Sequence, residues 1–170
     1  MAKPIITILG LGTTGTSLGL ALARSAAQAE VVGHDKLPEA AQAARRLNAM
    51  PRIEGNLHAA CEGASLIVLA MPLSEVDETL GLIAADLRPN ALVLVLSDVL
   101  QGAADLLSRH LGQHGHALVG HPILNGVGGP LTPRDDLFEQ AVFVIAAGAA
   151  TDPSALELAS NFGESVGAKP

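Results

Sequence analysis

Short runs of consecutive aliphatic residues alternate along this chain with longer stretches in which apolar residues recur at helical spacing. Residues 5 to 9, IITIL, form a compact aliphatic and β-branched run, followed at once by glycine and then by the alanine- and leucine-rich TTGTSLGLALA. That succession predicts a strand, a tight turn and a helix. A second run, EVVGHD at 30 to 35, leads into PEAAQAARRLNA, whose proline falls in the first helical turn, where its missing N–H costs nothing. The alternation returns as ASLIVLAMP followed by LSEVDETLGLIAADL, and again as NALVLVLSD followed by helical spacing to residue 111. These strands are apolar on both faces, as in a parallel sheet buried between two layers of helix. Beyond them the pattern predicts a strand in HALVGHPI at 116 to 123, a Gly/Pro-rich loop from 125 to 133 and a short helical turn near 134 to 139. A strand in AVFVIAAG and a last helix over 153 to 162 complete the reading. The fold class expected is α/β, a doubly wound, mostly parallel sheet with helices on both faces, and no repeat of solenoid period interrupts it.

Composition narrows this picture. The 170 residues suffice for one sizeable core, so a single domain over 1–170 is expected. With 49% hydrophobic and only 2% aromatic residues, that core is filled by Ala, Val, Leu and Ile. A formal net charge of -7 argues against a nucleic-acid or anionic-membrane surface, both of which need dense Lys and Arg. The single cysteine, Cys61, rules out an internal disulfide and any zinc site built on several thiolates. Its surroundings, HAACEGAS, read as a short amphipathic helix that buries it. The apolar stretch in MAKPIITILG is too short for a signal peptide's core and no other run approaches a membrane span, so a cytoplasmic location is expected. The chain stops at ESVGAKP, where Gly167 reads as a helix terminator; either a truncated chain or a protein lacking a partner domain fits that ending.

The chemistry begins at GLGTTG. Gly10, Gly12 and Gly15 fit G-x-G-x-x-G directly after a strand and at the head of a helix. In that setting the first glycine permits the tight turn, the second lets the backbone approach a pyrophosphate, and the third lets helix pack close to strand. The stretch Gly10, Leu11, Gly12, Thr13, Thr14, Gly15 is therefore the candidate cofactor cradle, with helix N–H groups turned to the phosphates. Asp35, at the end of the second strand, is placed to accept hydrogen bonds from ribose hydroxyls and to repel a 2′-phosphate. That predicts NAD rather than NADP, although Lys36 partly offsets the charge. Met71 and Pro72 end the third apolar strand, where a doubly wound sheet presents its ligand crevice, and Ser97 ends the fourth; packing accounts for Met71 equally well, and turn chemistry for Ser97.

Pro122 holds the residue before it, His121, in extended conformation at a strand end, where imidazole can exchange a proton near neutral pH, and on position alone an ordinary structural histidine fits at least as well. Together, ILGLGTTGTSLGLAL, VGHD, ASLIVLAMP, GHPILNG and LFEQAVFVIAAG resemble the NAD-binding domain of the prephenate and arogenate dehydrogenase family of tyrosine biosynthesis, a Rossmann-type fold. The GHPI-x-G-like segment is the most specific of these. The resemblance implies that His121 hydrogen-bonds the ring hydroxyl of the substrate and assists hydride transfer to nicotinamide as carbon dioxide leaves. It also implies a C-terminal helical domain that forms a dimer and completes the substrate pocket, so a homodimer or a separate helical domain is the partner to expect. The segment VLSDVLQG departs from the family's Asp-x-x-Ser-x-Lys-like pattern, with Val95, Asp98 and Leu100 at the three positions. Asp98 thereby enters the candidate catalytic set beside His121, and a carboxylate there repels a dicarboxylate substrate unless neutralised. Arg134 is the one guanidinium after His121 and the candidate substrate clamp, with a solvated position beside Asp135 and Asp136 as its plainer explanation. His110, His114 and His116 in HLGQHGH are read as a surface cluster and no metal is expected. Two other functions stay open: a dinucleotide-binding module without turnover of its own, and another small Rossmann reductase.

Overall fold

The computed structural model describes residues 2–112, 116–125 and 131–170. Strands β1 (Ile5–Leu9), β2 (Glu30–His34), β3 (Arg52–Ile53), β4 (Leu66–Leu69), β5 (Leu92–Leu96), β6 (Ala117–Ile123) and β7 (Val142–Ala146) form one sheet in the order β3-β2-β1-β4-β5-β6-β7. The pairings from β3 through β6 are parallel, and β7 runs antiparallel to β6 with His121 opposite Val144. Helices α1 (Thr13–Arg24), α2 (Pro38–Arg46), α3 (Leu57–Cys61), α4 (Leu73–Ile83), α5 (Leu100–Leu111) and α6 (Pro153–Ser165) connect and cover the strands. Chain order reverses between β1 and β4, which opens a crevice at the carboxyl ends of these neighbours.

Alternation within each strand divides the core into two layers. Ile8, Leu66, Val68, Leu92 and Leu94 face α1, α2 and α6, joined there by Leu18, Ala44, Ala159 and Phe162. Leu9, Ile67, Leu69, Val93 and Val95 face α3, α4 and α5, where Cys61, Val76, Leu80 and Leu107 complete the layer. Each fully buried Leu, Ile or Val side chain contributes about 1.5–3 kcal/mol against conformational entropy, so this aliphatic sandwich stabilises the sheet whose strand ends form the crevice. All three phenylalanines gather on the α6 side, with Phe143 and Phe162 packed edge to face at 6.2 Å between ring centroids.

Three details differ from the sequence expectation. Strand β3 leaves no mark in the hydrophobic pattern: only Arg52 and Ile53 pair with β2, too few for any alternation to register. The segment near 134 to 139 is a succession of turns and not a helical turn. Glu139 N–H donates to Asp136 O at 3.1 Å, Ala141 N–H to Phe138 O at 3.0 Å, and Gln140 adopts φ 63, which breaks any helical run. Helix α6 continues to Ser165 and ends where Gly167, at φ 91, donates to Glu164 O at 2.9 Å. The residues after it add to the sheet edge, since Lys169 N–H donates to Ala141 O at 2.8 Å and Phe143 N–H donates to Lys169 O at 2.7 Å.

Candidate functional site

The turn from β1 into α1 is built by glycines with separable jobs. Gly10 adopts φ 91 and its N–H donates to His34 O at 2.9 Å, and a Cβ there would lie 2.5 Å from Ala70 O. A Cβ on Gly15 would overlap the Gly10 carbonyl oxygen, so only glycine lets α1 start this close to the turn. Gly12 is different: a Cβ built on it meets nothing within 4 Å. It is the N-cap of α1 and offers no side chain to the helix end. The first-turn N–H groups of Thr13, Thr14 and Gly15 therefore have no intrahelical acceptor, and they carry the positive end of the helix dipole.

Asp35 fastens this turn to the end of β2. Its Oδ2 accepts from Leu11 N–H at 2.7 Å and its Oδ1 from Leu37 N–H at 2.8 Å. Each oxygen keeps a further lone pair for a ligand. The Leu11 side chain itself is buried in the core, so its place at the site is through its backbone.

Two cavities flank Gly12 and the segment Ala70, Met71, Pro72, which line both. The first, of about 390 Å³, holds Gly10, Asp35, His34 and Lys36, with Leu37 and Leu57 as apolar wall. Residues Glu75, Glu78, Thr79 and Leu82 close it from α4. These share one helical face, and their i, i+3, i+4, i+7 spacing is the sequence signal for them. The Lys36 ammonium lies 3.0 Å from Glu75 Oε2, and His34 Nδ1 lies 2.9 Å from Glu54 O.

The second cavity, of about 550 Å³, brings together Thr13, Thr14, Ser97, Asp98, His121 and Leu131. His121 reaches it from β6, and its imidazole has no hydrogen-bond partner among the described residues. Ser97 turns the chain, its N–H donating to Gly120 O at 3.0 Å and its Oγ accepting from Val99 N–H at 3.0 Å. Asp98 is exposed, whereas Val95 is fully buried in β5 and Leu100 packs against the α4–α5 layer. Of the three departures in VLSDVLQG, only Asp98 lines the cavity. Thr13 Oγ1 donates to Leu131 O at 3.3 Å and Ser17 Oγ accepts from Arg134 N–H at 3.1 Å, so α1 fixes the stretch that walls this cavity.

Arg134 is not brought to His121. Its Nε lies 3.0 Å from Asp136 Oδ1 with the side chain half exposed, outside the lining of both cavities. Residues 126–130 of the Gly/Pro-rich loop lie outside the described residues. Of the histidines in HLGQHGH, His110 Nε2 is 2.6 Å from Asp77 Oδ1 and His116 Nε2 is 3.9 Å from Asp152 Oδ2, while His114 lies outside the described residues. The hydrogen bond from His110 holds the Asp77 carboxyl below the usual range, with the Arg109 charge adding to it. Among the described residues no group of three His, Cys, Asp or Glu is placed to hold a metal, and no helix is long and apolar enough to cross a membrane. A larger cavity of about 640 Å³ lies between the end of α1 and α6, where Arg24 reaches Asp135 and Glu139, each at 3.3 Å, but neither the glycine turn nor His121 lines it.

Known proteins share this architecture. The family model described as the nucleotide-binding domain of prephenate dehydrogenase matches residues 18–170. A prephenate dehydrogenase of Bacillus subtilis (strain 168) is 24% identical over 161 residues, covering 94% of this chain and 43% of the relative. The crystal structure of prephenate dehydrogenase from Aquifex aeolicus in complex with hydroxyphenyl propionate and NAD+ superposes with a TM-score of 0.85 at 22% identity, over 99% of this chain and 59% of that one. Synechocystis arogenate dehydrogenase gives a TM-score of 0.83 at 24% identity, over 97% of this chain and 58% of the other. In each case the chain spans less than two thirds of its relative. Residues 18–170 take in all of the fold except β1, the glycine turn and the start of α1, and over that length the chain belongs to the prephenate dehydrogenase family through its nucleotide-binding domain.

Proposed function

We propose that residues 1–170 are the cofactor-binding part of an NAD-dependent dehydrogenase that oxidatively decarboxylates prephenate or arogenate, in the cytoplasm, for tyrosine synthesis. The observation that carries this reading is the pair of cavities flanking Gly12, one holding Asp35 and the other His121. NAD fits what is present: the backbone at Gly12 is open, the α1 N–H groups beside it need acceptors, and Asp35 retains lone pairs for ribose hydroxyls. Bound there, the nicotinamide supplies a hydride acceptor.

The residues of the chain do the rest. Thr13, Thr14 and Gly15 would hold the pyrophosphate by backbone N–H groups, Met71 and Pro72 line both cavities, and Ser97 would stand at the nicotinamide end. His121 accepts the proton of the substrate's ring hydroxyl as hydride leaves its carbon, and loss of carbon dioxide then completes the aromatic ring. Asp98 and His121 are the only ionisable side chains lining this cavity among the described residues. That favours a substrate bringing its own cation, as arogenate does with its ammonium. Arg134 becomes a carboxylate clamp only by leaving Asp136. The remaining wall of the substrate site comes from a helical domain or from a second copy.

Calorimetric titration with NAD, NADP and their reduced forms tests the cofactor reading: NAD binds below millimolar, and no binding by any of the four contradicts it. Turnover of prephenate and arogenate by wild type and His121→Asn then tests the chemistry, with a loss of about a hundredfold or more expected in the variant. Equal rates would remove His121 from the reaction. A second reading, an NAD-binding module that needs a partner for turnover, is favoured by the burial of Val95 and the packing of Leu100. NAD binding without turnover of either substrate would select it.

A further inference from the structure

On the Asp35 side of the crevice, one lysine stands among three carboxylates. Lys36 follows Asp35 off the end of β2, while Glu75 comes from the first turn of α4 across the cavity, and Lys36 Nζ lies 3.0 Å from Glu75 Oε2. Glu78 lines the same space, and Lys36 is the only Lys or Arg that does so among the described residues. The hydrogen bond to Glu75 raises the pKa of the ammonium, with the charges of Glu75, Glu78 and Asp35 adding to it. A phosphate on the ribose beside Asp35 therefore has one cation to meet, and that cation is engaged.

We propose that Glu75 determines cofactor specificity: by holding Lys36 across the cavity it withholds the one available cation from a ribose 2′-phosphate and keeps the site selective for NAD over NADP. This rests on the NAD reading above. If Lys36 stays with Glu75, the phosphate meets no free Lys or Arg in the lining and stands beside Asp35, Glu75 and Glu78. If Lys36 turns to the phosphate, Glu75 is left uncompensated beside Glu78 and Asp35 and facing a dianion. Either route is repulsive, and repulsion of the wrong ligand is as effective a source of selectivity as attraction of the right one. The ion pair is exposed enough, with side-chain exposures of 58% and 38%, that it adds little to fold stability. Its effect lies in where it keeps the ammonium.

The test is calorimetric titration of wild type, Glu75→Gln and the double variant Lys36→Met/Glu75→Gln with NAD and with NADP. The ratio of the NADP dissociation constant to that of NAD falls by about tenfold or more in Glu75→Gln and returns towards the wild-type ratio in the double variant. An unchanged ratio in Glu75→Gln overturns the proposal, as does a double variant that keeps the whole gain, because Lys36 would then not be the group released. Glu75→Ala, read in the same way, covers failure of the glutamine variant to fold. Wild type that binds neither nucleotide overturns the NAD reading and this proposal with it, whereas wild type that binds NAD while the ratio stays fixed overturns this proposal alone.

Discussion

Glycines a few positions apart in the first turn make opposite demands on the chain, and single substitutions separate them. Gly10 sits at φ 91 against Ala70, so Gly10→Ala forces an L side chain into left-handed backbone and costs about 1–3 kcal/mol of stability. Gly12 has open space where a Cβ would go, so Gly12→Ala leaves the denaturant midpoint unchanged while its methyl occupies the approach of the pyrophosphate. The expected result is an NAD affinity lower by about tenfold with no loss of stability; a Gly12→Ala protein that unfolds earlier but binds normally would reverse the assignment. These roles were legible because turn geometry is local: the glycines, Asp35 and the His121–Pro122 pair each announce their backbone within a few residues. Leu11 was legible only as part of the loop, since its contribution is the N–H that Asp35 accepts. The engagement of Lys36 by Glu75 was not legible, because the partner arrives on another element, and Arg134 likewise settles on Asp136 for reasons of local reach.

Elements were readable wherever they are long and apolar. The buried strands β1, β4 and β5 stand out as aliphatic runs, whereas β3 is two residues on a sheet edge and the 135–140 turns bury Leu137 and Phe138 without helical repetition. Helix α4 carries two messages on one sequence: Val76, Leu80 and Ile83 face the core, and Glu75, Glu78, Thr79 and Leu82 face the first cavity. Helix α6 is fixed at its start by Asp152, whose Oδ1 accepts from Ser154 N–H at 2.8 Å and from Ser154 Oγ at 2.6 Å. These bonds hold the Asp152 carboxyl below its ordinary 3.8, with the His116 charge a lesser contributor. A lowered carboxylate stabilises the fold above its unfolded value and loses that contribution as pH falls through the folded one. Asp152→Ala should therefore unfold a few degrees earlier than wild type at pH 7, with the difference shrinking below pH 3.8. A difference that is constant from neutral to acid pH would show that the cap does not act through its charge.

At the scale of the whole molecule, the doubly wound order follows from alternating strands and helices that cover both faces, and it sets the glycine turn and His121 around one crevice. Cys61 reports on the integrity of that arrangement. It is 1% exposed under the α3–α4 layer, and burial pushes its thiol from an ordinary 9.0 up to about 12, with the Asp86 charge adding to the effect. Stability from keeping the thiol neutral is complete below pH 9.0 and is lost as pH rises through about 12. At pH 8 an aromatic disulfide reagent should label native protein only as fast as the core opens, and denatured protein at once. Rapid labelling without denaturant would mean the layer over Cys61 is not closed. The central claim, that one bound NAD spans both cavities flanking Gly12, is tested most directly by backbone amide chemical-shift mapping of the isotope-labelled chain during titration with NAD. The account predicts saturable shifts at Gly12, Thr13, Thr14, Gly15, Asp35, Ser97 and His121. Shifts confined to the Arg24, Glu139 and Glu164 cavity, or none at millimolar NAD, would contradict it.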